Sequence, residues 1–290
     1  MKYIFLINSF TLNENINELI HNIKEYCEKE DISYEIEINN ESNSTEDILK
    51  KYNKTRYIIF SIGGDGTLNR VVNCLARTNN VIGVIPYGTG NDFYKAMKKQ
   101  FKTGINDCDL IKINDRYFIN TTCFGIDADI AYNKDNIKSK FIPRGQKYNA
   151  SIVKSFFKFK ARYFKIEIND KIIENNFSTV VVCNGEYYGN GYHVGPHSSL
   201  NDDKFDVYMV NDLGRISLAT LILKLKKGKH EFDKNVIKVT TNKLKINLKD
   251  DVYSNIDGEI LKDNKFDIEL CKKKIKVYYD RKLIDYLKKN

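Results

Sequence analysis

The chain has 290 residues, 42% of them hydrophobic, with three prolines and a formal net charge of +9 from 47 basic and 38 acidic side chains. This length and apolar content suit two folded domains of ordinary size, each able to bury its own core, and argue against a disordered chain. The positive surplus points to an anionic partner, whether nucleic acid, nucleotide or membrane surface, although a background enrichment in Lys, Asn and Ile would produce part of it. No apolar stretch approaches the roughly 18 residues needed to span a bilayer. Met1–Phe10 is too short in its apolar part for a signal peptide and reads as a strand. Six cysteines without any Cys-x-x-Cys pairing read as buried, reduced thiols of a cytoplasmic protein.

In chain order, Tyr3–Ile7 is a first strand ending at Asn8. Ile16, Leu19, Ile20, Ile23, Tyr26 and Cys27 make a helical stripe, and Ser33–Ile38 alternates as a strand. Ser44-Thr-Glu-Asp47 resembles a capping box opening a short helix through Tyr52. Tyr57–Ile62 is a buried strand, followed by Ser61-Ile-Gly-Gly-Asp-Gly-Thr-Leu-Asn69 and a helix marked by Leu68, Val71, Val72 and Leu75. Val81–Ile85 is another strand, followed by Pro86-Tyr-Gly-Thr-Gly-Asn-Asp92 and a helix beginning near Phe93. The alternation over residues 1–108 predicts a doubly wound α/β domain with a mostly parallel sheet. After Asp109 the pattern changes to many short strands: Asp109–Ile113, Arg116–Asn120, Lys165–Asn169, Ser178–Cys183, Phe205–Val210, Val236–Thr241, Leu244–Leu248, Phe266–Cys271 and Ile275–Tyr279. Helices near Gln146–Tyr163 and Ser217–Lys226 interrupt them. Residues 109–279 are thus predicted to form an all-β antiparallel sandwich, with a short helix over 280–290 that returns to the first domain.

Gly63, Gly64 and Gly66 fall on a strand-to-helix turn, where glycine lets backbone N–H groups approach a ligand and the helix N-terminus favours negative charge. Tight packing alone would account for such a turn equally well. Asp65 at its centre changes the balance, because a carboxylate beside phosphate needs a cation or a transferable proton between them. The second turn, Gly88-Thr-Gly-Asn91, should lie beside the first and widen it into one polyphosphate cradle. Neither turn matches the P-loop or dinucleotide fingerprint.

Gly63-Gly-Asp-Gly-Thr-Leu-Asn69 and Gly88-Thr-Gly-Asn-Asp-Phe93 resemble the diacylglycerol kinase catalytic-domain family, specifically its bacterial soluble lipid kinases. Sphingosine and ceramide kinases and, more remotely, NAD kinases share that superfamily. The similarity continues through Phe124-Gly-Ile-Asp-Ala128, Val182-Cys-Asn-Gly185, Pro196 with Leu200-Asn-Asp-Asp203, and Asp257-Gly-Glu259. It implies an α/β nucleotide domain followed by a β-sandwich, with the active site between them. It also implies ATP as cofactor, held by Asn8, Gly64, Asp65, Gly66, Thr67, Leu68, Asn69, Gly88, Thr89 and Asn91. At Asn8 the family's Asn-Pro-x-Ser-Gly loop is replaced by Asn8-Ser-Phe-Thr-Leu12. A structural Mg²⁺ site carries onto Asp202 with the backbone carbonyls of Ser199 and Lys204, and the usual Asp-Asp-Gly there is altered. Glu259 takes the place of the family's proton acceptor, with Asp257 and Asp65 organising the base and Mg²⁺, and Asp127 joining the water and Mg²⁺ network. Asp65 is expected to contribute little to packing.

Taken without the resemblance, Asp257-Gly-Glu259 is an ordinary solvated turn more often than not, yet its glycine can aim two carboxylates into one cleft and raise their pKa values. His193-x-x-x-His197 has metal-like spacing but lies on a Gly/Pro loop without a third ligand. Lys138–Lys165 carries nine basic residues interleaved with aromatics. It reads either as a helix with a solvated basic face or as a surface docking on anionic lipid; no nucleic-acid fold accompanies the charge. The expected function is a cytoplasmic lipid kinase, peripheral on the inner face of the membrane, that moves the γ-phosphoryl of ATP to diacylglycerol. A kinase of a sphingoid-like or undecaprenol-like lipid, an NAD kinase-like enzyme and an inactive lipid- or nucleotide-binding module are the alternatives. The sequence leaves a homodimer open.

Overall fold

A computed structural model describes residues 1–10, 16–126, 128–129, 132 and 160–288. Two compact units divide the chain: Met1–Cys108 together with Lys273–Asn290, and Asp109–Lys272.

In the first unit Tyr3–Asn8, Ile58–Gly63 and Val81–Pro86 become strands buried on both faces, as a parallel sheet between helices requires, while the edge strand Tyr34–Asn39 stays partly exposed. These are β1 (Tyr3–Asn8), β2 (Tyr34–Asn39), β3 (Ile58–Gly63) and β4 (Val81–Pro86), joined later by β5 (Gly104–Cys108) and β17 (Ile275–Tyr279). Their order is β2-β1-β3-β4-β17-β5, and all neighbours are parallel except β17 and β5. Helices α1 (Ile16–Lys29), α2 (Thr45–Leu49), α3 (Asp65–Leu75) and α4 (Asp92–Gln100) follow β1, β2, β3 and β4. Aromatic packing ties the strands together: the Phe5 and Phe60 rings stack at 4.9 Å. Gly83 makes room for Phe60, since a Cβ there would meet the ring at 2.2 Å. The chain leaves β1 toward β2 and then crosses to β3 on its other side. The carboxyl ends of β1 and β3 therefore flank the reversal of strand order, where open α/β sheets bind ligands.

Ile275–Tyr279, expected among the sandwich strands, instead lies between β4 and β5 in the first sheet. Its alternating pattern suits either sheet; the parallel partner Val81–Gly83 is remote in sequence and decides the matter. Helix α6 (Arg281–Leu287) follows and lies against α1, with Tyr26 and Tyr286 at 5.2 Å. The Tyr87 hydroxyl donates to the Leu287 carbonyl at 2.7 Å.

The second unit is a nine-stranded, largely antiparallel network. Its strands are β6 (Ile111–Ile113), β7 (Arg116–Phe118), β8 (Thr121–Gly125), β9 (Arg162–Ile168), β10 (Lys171–Cys183), β13 (Phe205–Asn211), β14 (Val236–Thr241), β15 (Lys243–Ile256) and β16 (Glu259–Leu270). The small hairpin β11 (Tyr187–Tyr188) and β12 (Tyr192–His193) stands apart. Both β10 and β15 are long enough to pair with β9 at one end and β8 at the other, which folds the network around one interior. Alternate residues fill that interior: Phe164, Ile166 and Ile168 of β9, Val180 and Val182 of β10, Leu244 and Ile246 of β15, Phe266 and Ile268 of β16. The sequence pattern truncates β10, β15 and β16 because their outer halves are polar. Arg162 and Tyr163, expected in a helix, belong to β9. Between β13 and β14 lie α5 (Arg215–Leu225) and a 3₁₀ turn, His230–Phe232. No described helix is long and apolar enough to cross a membrane.

Removing residues 273–290 extracts β17 from between two strands and uncovers Tyr26 and Tyr87. The shortened chain should lose the cooperative thermal transition of the first unit, followed by circular dichroism. An unchanged melting profile would show that β17 is dispensable there.

Candidate active site

The register Gly63↔Pro86 sets the ends of β3 and β4 side by side. Beyond it, the N–H groups of Tyr87 and Gly88 both donate to the Gly63 carbonyl, at 3.0 and 3.2 Å. The glycine turns then touch backbone to backbone: a Cβ on Gly88 would lie 2.3 Å from the Gly64 Cα. Only a residue without a side chain fits at that approach. Asn91, in the left-handed region at φ 53°, closes the second turn. Its Oδ1 accepts from the Gly88 N–H at 2.9 Å and its Nδ2 donates to the Gly88 carbonyl at 2.7 Å. At the end of β1, the Asn8 amide donates to the Thr67 hydroxyl at 2.7 Å, bringing a third strand end to the same place.

Asp65 spans the two turns. It sits in the first turn of α3, yet its carboxylate caps the neighbouring helix α4, accepting from the N–H groups of Asp92 and Phe93 at 3.1 Å each. The expectation that Asp65 contributes little to packing is therefore corrected. Asp92, buried beside it and paired with Lys95 at 2.9 Å, completes the arrangement; its site role was not read from the sequence. Burial, and then the neighbouring Asp92, push the Asp65 carboxyl up to about 6, against the opposing pull of the two backbone N–H groups and Lys95. Of the remaining expected nucleotide residues, Thr89 is exposed on the turn, Gly66 is half-buried, and Thr67, Leu68 and Asn69 are buried in α3. Leu68 packs inside and lines, with Ser61, Gly64 and Asp65, a cavity of about 10 Å³, room for one water. The N-terminus of α3 favours an anion, that of α4 being taken by Asp65, while the two acids beside it call for a cation. That combination fits Mg²⁺, which binds through one or two carboxylates with phosphate oxygens and water completing its shell.

In the second unit Asp257-Gly258 is the two-residue loop between β15 and β16, with φ 48° and 97°, the backbone that Asp-Gly hairpins favour. Asp257 is buried and its carboxylate receives three successive backbone N–H groups: Ile119 at 2.9 Å, Asn120 at 3.2 Å and Thr121 at 2.7 Å. It staples the β7–β8 connection to the hairpin. Glu259 begins β16 opposite Ile256 and stays half-buried.

The Asp202 region is built on a residue that sequence reading took only for the start of a strand. Asp109 is fully buried, and its Oδ2 accepts from the N–H groups of Asp202 and Asp203 at 2.9 Å each. Asp202 Oδ1 is buried without a hydrogen-bond partner among the described residues. Its carboxyl is pushed up by burial, pulled down by Lys204 at 3.5 Å and pushed up again by Asp109. Ser199, Asp202 and Lys204 line one cavity of about 200 Å³. An unpartnered buried carboxylate oxygen beside a second acid fits a bound cation such as Mg²⁺. No group of three or more His, Cys, Asp or Glu placed to hold a metal occurs among the described residues, so other ligands there would be carbonyls or water. His193 and His197 face different acids, Glu186 at 3.0 Å and Glu231 at 2.9 Å, and do not form a metal pair. Asp127 and residues 138–159 lie outside the described residues.

Gly88→Ala should destabilise the first unit by about 1–3 kcal/mol, the scale of forced overpacking, as read by denaturant unfolding; an unchanged midpoint would contradict the backbone contact. Asp65 generates a pH test. Its folded carboxyl titrates near 6 and an unfolded one near ~3.9, so the folded chain holds the extra proton between those values. This group's contribution to stability therefore weakens as pH rises from ~4 to ~6. Asp65→Asn lacks that slope, so the variant's Tm relative to wild type should climb across the interval. A difference that stays flat or falls would overturn the assignment.

Comparison with known proteins agrees with this geometry. Residues 2–116 match the diacylglycerol kinase catalytic domain. Residues 120–279 match the YegS C-terminal NAD kinase beta sandwich-like domain. A diacylglycerol kinase of Bacillus subtilis (strain 168) is 30% identical over 218 residues, covering 70% of this chain and 71% of that protein. A Staphylococcus carnosus (strain TM300) protein, provisionally named a lipid kinase, is 25% identical with 92% of each chain covered. The fold matches a crystal structure of a Bacillus anthracis str. Sterne protein provisionally named a diacylglycerol kinase, with TM-score 0.76, 20% identity, and 97% and 96% of the two chains covered. With paired glycine turns at the head of an α/β sheet and a β-rich second unit, the chain belongs to the diacylglycerol kinase-like family of lipid kinases.

Proposed function

We propose that the chain transfers the γ-phosphoryl group of ATP to the free hydroxyl of diacylglycerol, giving phosphatidic acid. The observation that carries this reading is the pair of touching glycine turns spanned by Asp65, which offers turn amides and the N-terminus of α3 to a polyphosphate and acids to its counter-ion. The 30% identity to a protein named diacylglycerol kinase supports the choice of substrate. Backbone N–H groups at Gly64–Gly66 and at Thr89 and Gly90 hold phosphate oxygens, with the Asn8–Thr67 pair fixing the end of β1 beside them. Mg²⁺, when bound, neutralises charge on the phosphate oxygens as it develops. Asp65 and Asp92 are the residues that would hold that ion. Glu259 accepts the proton of the attacking hydroxyl, and Asp257 is a positioning residue that fixes the hairpin presenting Glu259.

Phosphoryl transfer of this kind asks little of the protein beyond alignment, charge neutralisation and one base. Glu259→Gln keeps the size of the side chain and removes its basicity. It should lower kcat by roughly two to four orders of magnitude, the usual scale for loss of a general base, with KM for ATP little changed. The assay is purified protein with labelled ATP, Mg²⁺ and a panel of diacylglycerol, sphingoid and polyprenol lipids, with NAD as the soluble alternative. Phosphatidic acid as the dominant product supports the reading. A dominant product from another acceptor replaces diacylglycerol, and a fully active Glu259→Gln variant removes Glu259 from the mechanism.

A further inference from the structure

Helix α5 reads Arg215-Ile-Ser-Leu-Ala-Thr-Leu-Ile-Leu-Lys-Leu225, with apolar residues all around its circumference. One side seats it: Leu218 and Leu221 are buried, and Leu225 packs on a cluster that includes Cys123, Val181 and Tyr208. A surface helix ordinarily turns a polar face to water opposite its seat. Here Ile216 is 87% exposed, and Leu223, two turns along the same stripe, is 63% exposed. The 3₁₀ turn His230–Phe232 packs against α5 and is tied to it by Lys224–Asp233 at 2.8 Å. His230 anchors that turn from within, donating from Nε2 to the Val194 carbonyl at 2.9 Å. Phe232 is nevertheless 81% exposed. Three large apolar side chains are thus held out by elements that are themselves firmly seated.

The surrounding charge selects a partner. Residues 215–234 contain six basic side chains and two acidic ones. Both acids are engaged, Asp233 by Lys224 and Glu231 by His197 and Lys238. Lys227, Lys229 and Lys234 stand exposed beside the apolar residues. A second copy of this surface would set lysines against lysines, whereas an anionic bilayer offers phosphates at the depth of the ammonium groups and acyl chains below them. We propose that α5 and the His230–Phe232 turn dock the chain on an anionic membrane surface, with Ile216, Leu223 and Phe232 entering the acyl boundary. The choice of a bilayer rests on the lipid-kinase reading; the element is distinct from the Lys138–Lys165 segment that the sequence suggested for this task.

The chain contains no tryptophan, so Phe232→Trp supplies a single reporter at an exposed site. With vesicles of phosphatidylcholine and phosphatidylglycerol, its emission should shift to shorter wavelength and be quenched by brominated acyl chains. Salt should weaken the effect. Adding Ile216→Asn and Leu223→Asn should lower vesicle partitioning by roughly tenfold or more. Sedimentation with vesicles while the emission stays that of water-exposed tryptophan would overturn the proposal, as would failure to bind at all. A blue shift that follows protein concentration without vesicles would assign the surface to a second copy and overturn it too. Activity on a short-chain, soluble diacylglycerol keeps the two readings separate. Docking with no lipid phosphorylated would sink the kinase reading alone. Phosphorylation of the soluble lipid with no docking would sink only this proposal.

Discussion

The contact between Gly64 and Gly88 constrains most of the first unit. Two strand-to-helix turns on neighbouring parallel strands can present their backbone amides to one ligand only if the turns nearly touch. An added methyl at Gly88 would meet the Gly64 Cα at 2.3 Å. Asp65 makes that approach specific. By capping α4 from α3 it fixes the register of one helix N-terminus against the other. The same carboxylate then faces Asp92 within a desolvated site, which raises its pKa against the opposing pull of Lys95.

The second unit uses buried acids in a related way. Asp257 and Asp109 each hold backbone N–H groups from distant stretches of chain, 136–138 and 93–94 residues away. Charge-assisted bonds to amides stabilise an ionised carboxylate in a site where an unpaired one would be costly. Asp202 differs because it keeps one oxygen without a hydrogen-bond partner among the described residues. The distinction between an acid that organises the backbone and one available for chemistry lies in its neighbours, not in its residue type.

This distinction also marks what the sequence could show. Strands β3 and β4 are plain in their apolar runs, and the short interval between them makes adjacent turns a consequence of parallel-sheet topology. The Asp257-Gly258 turn was readable as well, because Asp-Gly favours positive φ. The carboxylate's three amide partners were not, since they are set by tertiary pairing of β8 with β15. Asp109 and Asp92 escaped for the same reason. Strand β8 was missed because Thr121, Thr122 and Gly125 dilute its apolar pattern. Strand β17 was assigned to the wrong sheet because a strand's own residues do not name its partner.

The net positive charge finally proves uninformative about the phosphate cradle, whose distinctive charged groups are acids. Part of the surplus lies at the other end of the first sheet. Lys54, Arg56, Arg77, Lys273 and Lys274 line a broad groove at the amino ends of β3, β4 and β17, opposite to the glycine turns. Another part surrounds the exposed apolar residues of α5. A cradle built from backbone amides and helix N-termini does not need lysines to hold phosphate, and lysines crowded around it would compete with Mg²⁺ for the same oxygens. Near the glycine turns, Lys95 is paired with Asp92 at 2.9 Å.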